Sequence, residues 1–286
     1  MYVCIDILKA IAAVLITNSH YGSIWPVSAL AFGGLLGDVM FFAASGFCLA
    51  YIRQKFPKWY GKRILRIYPL LWMVTLIGVL IKMIAVTSFR DFLTYFIYPT
   101  YYHFVASIMA LYIVFYFLMW LRTRYRVRTE WMMIVIFLVY AAVYLFAYDK
   151  SYYHIDTVEE PMVRFLFLEA MLLGALFRER LDRTDKTLGF NKAVMAAAVS
   201  GCAVLYFAGK LLFSRVQKLA PLQILDQVIL FLLLAAIMAA LCRWEQDRAE
   251  KEIKESPGKF RKIILGGGKI HIKDNAGDLS YTVSGI

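Results

Sequence analysis

The residues best able to do chemistry lie within the first twenty. Asp6, Lys9, Ala13, Thr17 and His20 recur at intervals of 3, 4, 4 and 3, which places them on one stripe of an α-helix. Lys9 and His20 are eleven residues apart, three turns plus about 20°, and so about 16 Å apart along the axis. A cation at one end and an imidazole at the other can bind an anion and serve as a general base. The plainer alternative is that Asp6 and Lys9 pair with each other while His20 is interfacial. Asp38 is the next candidate, within Gly37-Asp38-Val39-Met40-Phe41-Phe42-Ala43-Ala44-Ser45-Gly46, an apolar run with no neighbouring cation. Charge in such a run costs roughly 2.5–3.5 kcal/mol on insertion scales, so it marks function by default. Arg63 and Arg66 are three apart and share a helix face, suited to bidentate recognition of phosphate. Basic residues at this position also set topology, and both readings stand.

These residues must be positioned by membrane helices. The chain has 286 residues, 61% hydrophobic, 16% aromatic and only 18% charged, with a net charge of +12; its mean hydropathy is +0.63. That composition excludes a soluble globule and a disordered chain. Eight apolar segments of near-spanning length are predicted: 3–20, 31–52, 67–86, 103–121, 131–148, 162–177, 192–213 and 223–242. The aromatic stretch Phe89–Tyr102 reads as an interfacial or re-entrant piece. Connections 53–66, 122–130 and 178–192 and the tail from Arg243 carry 24 of the 32 basic residues, always in alternate connections. The positive-inside rule then puts the N-terminus and the tail in the cytoplasm. The fold class is all-α: a polytopic bundle over 1–242, followed by a polar cytoplasmic tail over 243–286. The basicity is mostly topological, with Lys9, Arg63 and Arg66 a small remainder suited to a phosphorylated donor, and it calls for no nucleic acid.

Other features carry less. Cys4, Cys48, Cys202 and Cys242 lie in apolar segments without ligand or CxxC spacing, and read as buried apolar thiols; no metal site is expected. Gly266-Gly267-Gly268-Lys269 lacks the spacing and the following Ser or Thr of a phosphate loop. Arg243–Ser256 reads as a solvated helix continuing the eighth span, ended by Pro257-Gly258. Glu169 and Asp226 read as polar contacts between helices.

Taken in order, Lys9 with ten residues before His20, the Gly37–Phe47 segment, and Arg63-x-x-Arg66-x-Tyr68-Pro69-x-x-Trp72 resemble the acyltransferase type 3 family of integral-membrane O-acyltransferases. Leu111-Tyr112 and Arg164 through Leu173-Gly174 are weaker points of similarity, and the resemblance runs from Tyr2 to about Cys242. It implies transfer of an acyl group from acyl-CoA, acetyl-CoA in the usual case, to a hydroxyl of an envelope carbohydrate or lipid-linked acceptor. No resident cofactor is implied, and the location is a multi-pass cytoplasmic membrane, with the bilayer, donor and acceptor as partners. On this reading His20 is the general base, supported by Asp38 or Asp6. Arg63, Arg66 and Lys9 meet the donor. Ser45 is a hydrogen-bond donor to the carbonyl or a small packing residue. Phe104 stands after His103 where many members have Trp. Asp278-Leu279-Ser280-Tyr281-Thr282 is similar to the polar lead-in of the family's closing helix, but Val283–Ile286 follows instead of an apolar run, so the chain is expected to be shortened at its C-terminus. The rival readings are a glycan or glycolipid translocator, which lacks its expected internal repeat here, and an inactive, truncated acyltransferase.

Overall fold

The computed structural model describes residues 2–26, 31–157, 160–182, 191–255, 270–274 and 277–281. Helices occupy all eight expected apolar segments: α1 (Val3–Ser19), α2 (Gly34–Leu49), α3 (Phe56–Leu80), α5 (His103–Tyr125), α6 (Thr129–Phe146), α7 (Pro161–Asp182), α8 (Lys192–Arg215) and α9 (Ile224–Glu255). Among the described residues, α3, α5, α6, α8 and α9 are long and apolar enough to cross a membrane, and α2 is a shorter apolar helix. Large apolar side chains such as Leu70, Met73 and Leu76 on α3, Val135 and Leu138 on α6, and Val204 and Leu205 on α8 face outward. Water would not tolerate such a surface, and lipid does. The protein is a multi-pass membrane protein.

The centre of the bundle is built on backbone approach. A Cβ added at Gly46 would lie 1.9 Å from the Met171 carbonyl oxygen, and one at Gly174 would lie 1.9 Å from that of Ala43. Helices α2 and α7 therefore touch main chain to main chain, the contact that small residues permit in membranes. Phe42 stacks on Phe167 beside this contact, with centroids 4.1 Å apart. Helix α1 lies along α2 through Cys4, Ile5, Leu8 and Ala12, and a Cβ at Gly37 would meet the Ala12 carbonyl at 2.7 Å. Cys4 and Cys242 are buried as expected, but Cys48 faces outward.

Three elements depart from the sequence reading. The basic segment before Ile67 is helical from Phe56 onward. Pro57 suits a first turn, and Lys and Arg are good helix formers. The same helix stops at Leu80 rather than near 86, because Lys82 takes φ +60° while the amides of Met83 and Ile84 turn back to the Gly78 carbonyl. The fold is also not purely helical: Ile270–Asp274 (β1) pairs antiparallel with Gly277–Tyr281 (β2), Ile272 opposite Leu279. Ile270, Ile272, Leu279 and Tyr281 alternate with polar residues, the period of a strand, so Asp278–Tyr281 are extended. Thr282–Ile286, and the segment Gly266-Gly267-Gly268-Lys269, lie outside the described residues.

The aromatic stretch forms a short helix, α4 (Phe89–Phe92), running into a π-turn at Leu93–Ile97. Ser88 and Asp91 make a reciprocal capping box. The amide and hydroxyl of Thr87, with Ser88, hold the Asp91 carboxyl below its ordinary range. Two α3 side chains staple the segment: Tyr68 donates to the Ile97 carbonyl at 2.7 Å and the Trp72 indole to that of Phe96 at 2.9 Å.

Polar clamps join helix ends at one end of the bundle. Arg122 on α5 donates to Glu179 on α7 and, at 3.0 Å, to the Ala50 carbonyl after α2; Thr129 on α6 donates to the same Glu179 oxygen at 2.8 Å. Tyr2 donates to Asp182 at 2.5 Å, and Lys192 pairs with Asp247 at 2.7 Å. Helix α9 continues past its apolar part as expected, but it is not wholly solvated. Glu245 is buried, accepts the Cys4 amide at 2.7 Å and so caps the positive end of α1. Arg122→Ala leaves the partly buried Glu179 without its main counter-charge, at an expected cost of about 2–4 kcal/mol. A lowered thermal midpoint in detergent, largely recovered in the double variant Arg122→Met with Glu179→Met, is the expected outcome. A double variant no more stable than Arg122→Ala would contradict it.

Candidate active site

At the opposite end of the bundle from these clamps is a cavity of about 1230 Å³. It is framed by the end of α1, the start of α2, the start of α5, the end of α8 and the loop before α7. The last turn of α1 contributes Ile16, Ser19 and His20. Gly33 and Gly34 bring α2 against that turn. Gly33 has φ +96°, a left-handed conformation that suits glycine, and a Cβ at Gly34 would lie 2.7 Å from Ser19 Oγ. This close entry carries Asp38 to the cavity wall, where it is 8% exposed and has no hydrogen-bond partner among the described residues. Opposite stand Tyr102, His103 and Phe104 from α5 and its lead-in, and Tyr206, Phe207 and Lys210 from α8.

Asp156 completes the lining, and its loop is firmly seated. The amides of His154 and Ile155 both donate to Gln223 Oε1, at 2.9 and 3.0 Å, and Gln223 Nε2 donates to the Tyr152 carbonyl at 3.0 Å. Gln227 donates to the Ile155 carbonyl at 2.6 Å and accepts from Tyr140 at 2.9 Å. Tyr153 donates to Asp226 Oδ2 at 2.7 Å, a contact from α9 to this loop rather than the helix-to-helix contact expected, and Asp226 Oδ1 is buried without a partner among the described residues. Glu169 is buried in α7 with Oε1 unpartnered among the described residues, so its expected polar contact is not seen at that oxygen.

His20 and Asp38, eighteen residues apart, therefore share one cavity. Lys9 and Asp6 do not reach it; they pair with each other at 3.7 Å, each about 41% exposed, on the side of α1 away from its packed face. Arg63 and Arg66 lie toward the clamped end, on α3. Arg63 sits over the Trp59 ring at 4.6 Å, and both arginines act electrostatically on Tyr112 of α5. Ser45 is beside the Tyr112 hydroxyl and seven residues along α2 from Asp38, about 10 Å by helix rise. Arg63 and Arg66, Tyr112 and Ser45 thus form a polar sequence at the basic end, which stops about 10 Å short of Asp38 by helix rise. The Gly-rich approach of α2 to α1 and α7 is what carries it.

Residues 2–251 match the acyltransferase type 3 family, described as an acyltransferase domain. The chain belongs to the acyltransferase type 3 family. No curated protein and no solved structure matches it. The enzyme is an acyltransferase, and the match extends through the part of α9 that carries Glu245.

Lys210 and Asp156 are the cavity residues that sequence reasoning missed. Their Nζ and Oδ2 are 2.5 Å apart. Lys210 lies inside an expected span, so the rule that singled out Lys9 applies equally to it. Asp156 was one of several acids in a connection, and nothing in its local sequence marks it.

Proposed function

We propose that this acyltransferase carries an acyl group, acetyl in the usual case, from cytoplasmic acyl-CoA to a hydroxyl of an envelope carbohydrate or related acceptor. The observation that carries the reading is the placement of His20 and Asp38 on one cavity at the end of the bundle opposite the basic clamps, in a chain of this family. In this reading the helices of all eight apolar segments cross the membrane, the basic end and the polar tail over 243–286 face the cytoplasm, and the cavity opens outward. Alternate helix ends meet at each end of the bundle, which supports that count.

Arg63 and Arg66 meet the phosphates of the donor at the cytoplasmic side. The pantetheine arm follows the polar sequence past Ser45, which helps to orient the thioester. At the cavity His20 takes the proton of the acceptor hydroxyl as its oxygen attacks the thioester carbonyl. The carbon–sulfur bond breaks, the ester forms, and the proton passes to the CoA thiolate. Asp38 balances the charge that develops on the imidazole, and Asp6 holds Lys9. The bundle over 1–242 is the catalytic unit.

Mass spectrometry of envelope glycans with and without the gene tests the reading directly, since loss of acyl esters must accompany loss of the gene. In membranes, Arg63→Ala with Arg66→Ala is expected to raise the donor KM about 10–100-fold, the worth of one or two charge-assisted contacts. A donor KM unchanged by both substitutions contradicts the donor site.

A further inference from the structure

The cavity wall formed by Asp156, Lys210 and Tyr206 has no part in the chemistry above, yet it is a built polar surface. Lys210 Nζ and Asp156 Oδ2 are 2.5 Å apart, and the carboxylate is the more covered of the two, at 15% against 43% exposed. The Gln223 and Gln227 contacts fix the backbone of Ile155, immediately before Asp156, so the pair is held in place rather than floating on a loop. Asp38 is a second observation: a residue only 8% exposed, lining the same cavity and without a hydrogen-bond partner among the described residues. Buried polar groups of this kind are satisfied by something, and a ligand in the cavity is in position to do so.

The charge pattern selects the ligand. Lys210 is already neutralised by Asp156, and Asp38 adds a further acid, so the subsite gives no net attraction to a phosphate or carboxylate. A carboxylate accepts hydrogen bonds and an ammonium donates them. Side by side they match two adjacent hydroxyls, each able to do both. Tyr102, Phe104 and Phe207 supply flat apolar surface against which the C–H face of a sugar ring can lie. We infer that the Asp156–Lys210 pair is the acceptor clamp of this enzyme, holding a neutral vicinal diol of a sugar ring so that the hydroxyl to be acylated is turned toward His20. This rests on the acyl-transfer reading and adds to it the acceptor subsite and its preference for an uncharged polyol.

The test uses the full chain in lipid nanodiscs, radiolabelled acetyl-CoA as donor, and methyl gluco-, galacto- and mannopyranosides as acceptors. Wild type is expected to label at least one glycoside. Asp156→Asn should raise the acceptor KM about 10–100-fold, as removal of a hydrogen bond to a charged group does, with the donor KM within twofold of wild type. Lys210→Met should have a smaller effect in the same direction, and Lys210→Arg should restore most of it. An unchanged donor KM shows that each variant is folded. An Asp156→Asn acceptor KM within twofold of wild type overturns the clamp and leaves acyl transfer standing. Label on endogenous membrane material but on no glycoside also overturns the clamp. A wild type that transfers label to nothing overturns acyl transfer itself.

Discussion

His20→Ala is expected to lower kcat for acyl transfer by roughly 10²–10⁴-fold, the usual worth of a positioned general base. The protein should still insert and keep its thermal midpoint, because His20 is exposed at the end of α1 and its loss opens no hole in the packed centre. The donor KM should also be unchanged, since Arg63 and Arg66 lie toward the other end of the bundle. These three readouts together separate a chemical role from a structural one. If His20→Ala retains kcat within about fivefold, the base is not His20, and His103, the other imidazole on the cavity, becomes the residue to test.

The largest structural effect is expected at Gly174. A single added methyl there would sit 1.9 Å from a main-chain oxygen of α2, and neither helix can move a backbone atom aside as it could a side-chain end. Gly174→Ala must push α2 and α7 apart by more than an ångström, which also opens the Phe42–Phe167 stack. Overpacking alone costs about 1–3 kcal/mol, and forced backbone separation at the central contact adds to that. A loss of monodisperse protein in detergent, or a thermal midpoint lowered by well over 5 °C, is the expected result. Gly61→Ala and Gly201→Ala are the controls. A Cβ at either position meets nothing within 4 Å, and alanine favours a helix by about 0.5–1 kcal/mol over glycine, so neither should destabilise. A Gly174→Ala protein as stable as these controls would refute the main-chain contact.

The eight apolar helices were legible because lipid demands long hydrophobic runs and the basic connections punctuate them. The start of α3 was not. Lys and Arg at a membrane edge satisfy topology whether they sit in a loop or in a helix, and only Pro57 hinted at a first turn. On α1 the spacing of Asp6, Lys9 and His20 was readable as one stripe, but not which way it faced. Cys4, Ile5, Leu8 and Ala12 form an equally regular stripe, and they are the ones that meet α2 and the rest of the core. His20 and Asp38 could be read as candidates because both break apolar context near the chain start. The far wall of the cavity could not. Asp156, Tyr206 and Lys210 are brought to it by contacts such as Gln223 to the 152–155 loop, between residues about 70 positions apart.

The main-chain contact between α2 and α7 also has a consequence for how the molecule is made. More than a hundred residues separate the end of α2 from the start of α7. At ~5–20 residues per second of synthesis, α2 spends roughly 5–20 s in the bilayer before its principal neighbour exists. During that interval α1 is its companion, joined through Gly37 and Ala12. His20 and Asp38 are therefore brought near each other in the α1–α2 hairpin, while the wall that faces them arrives only later in synthesis, with α8.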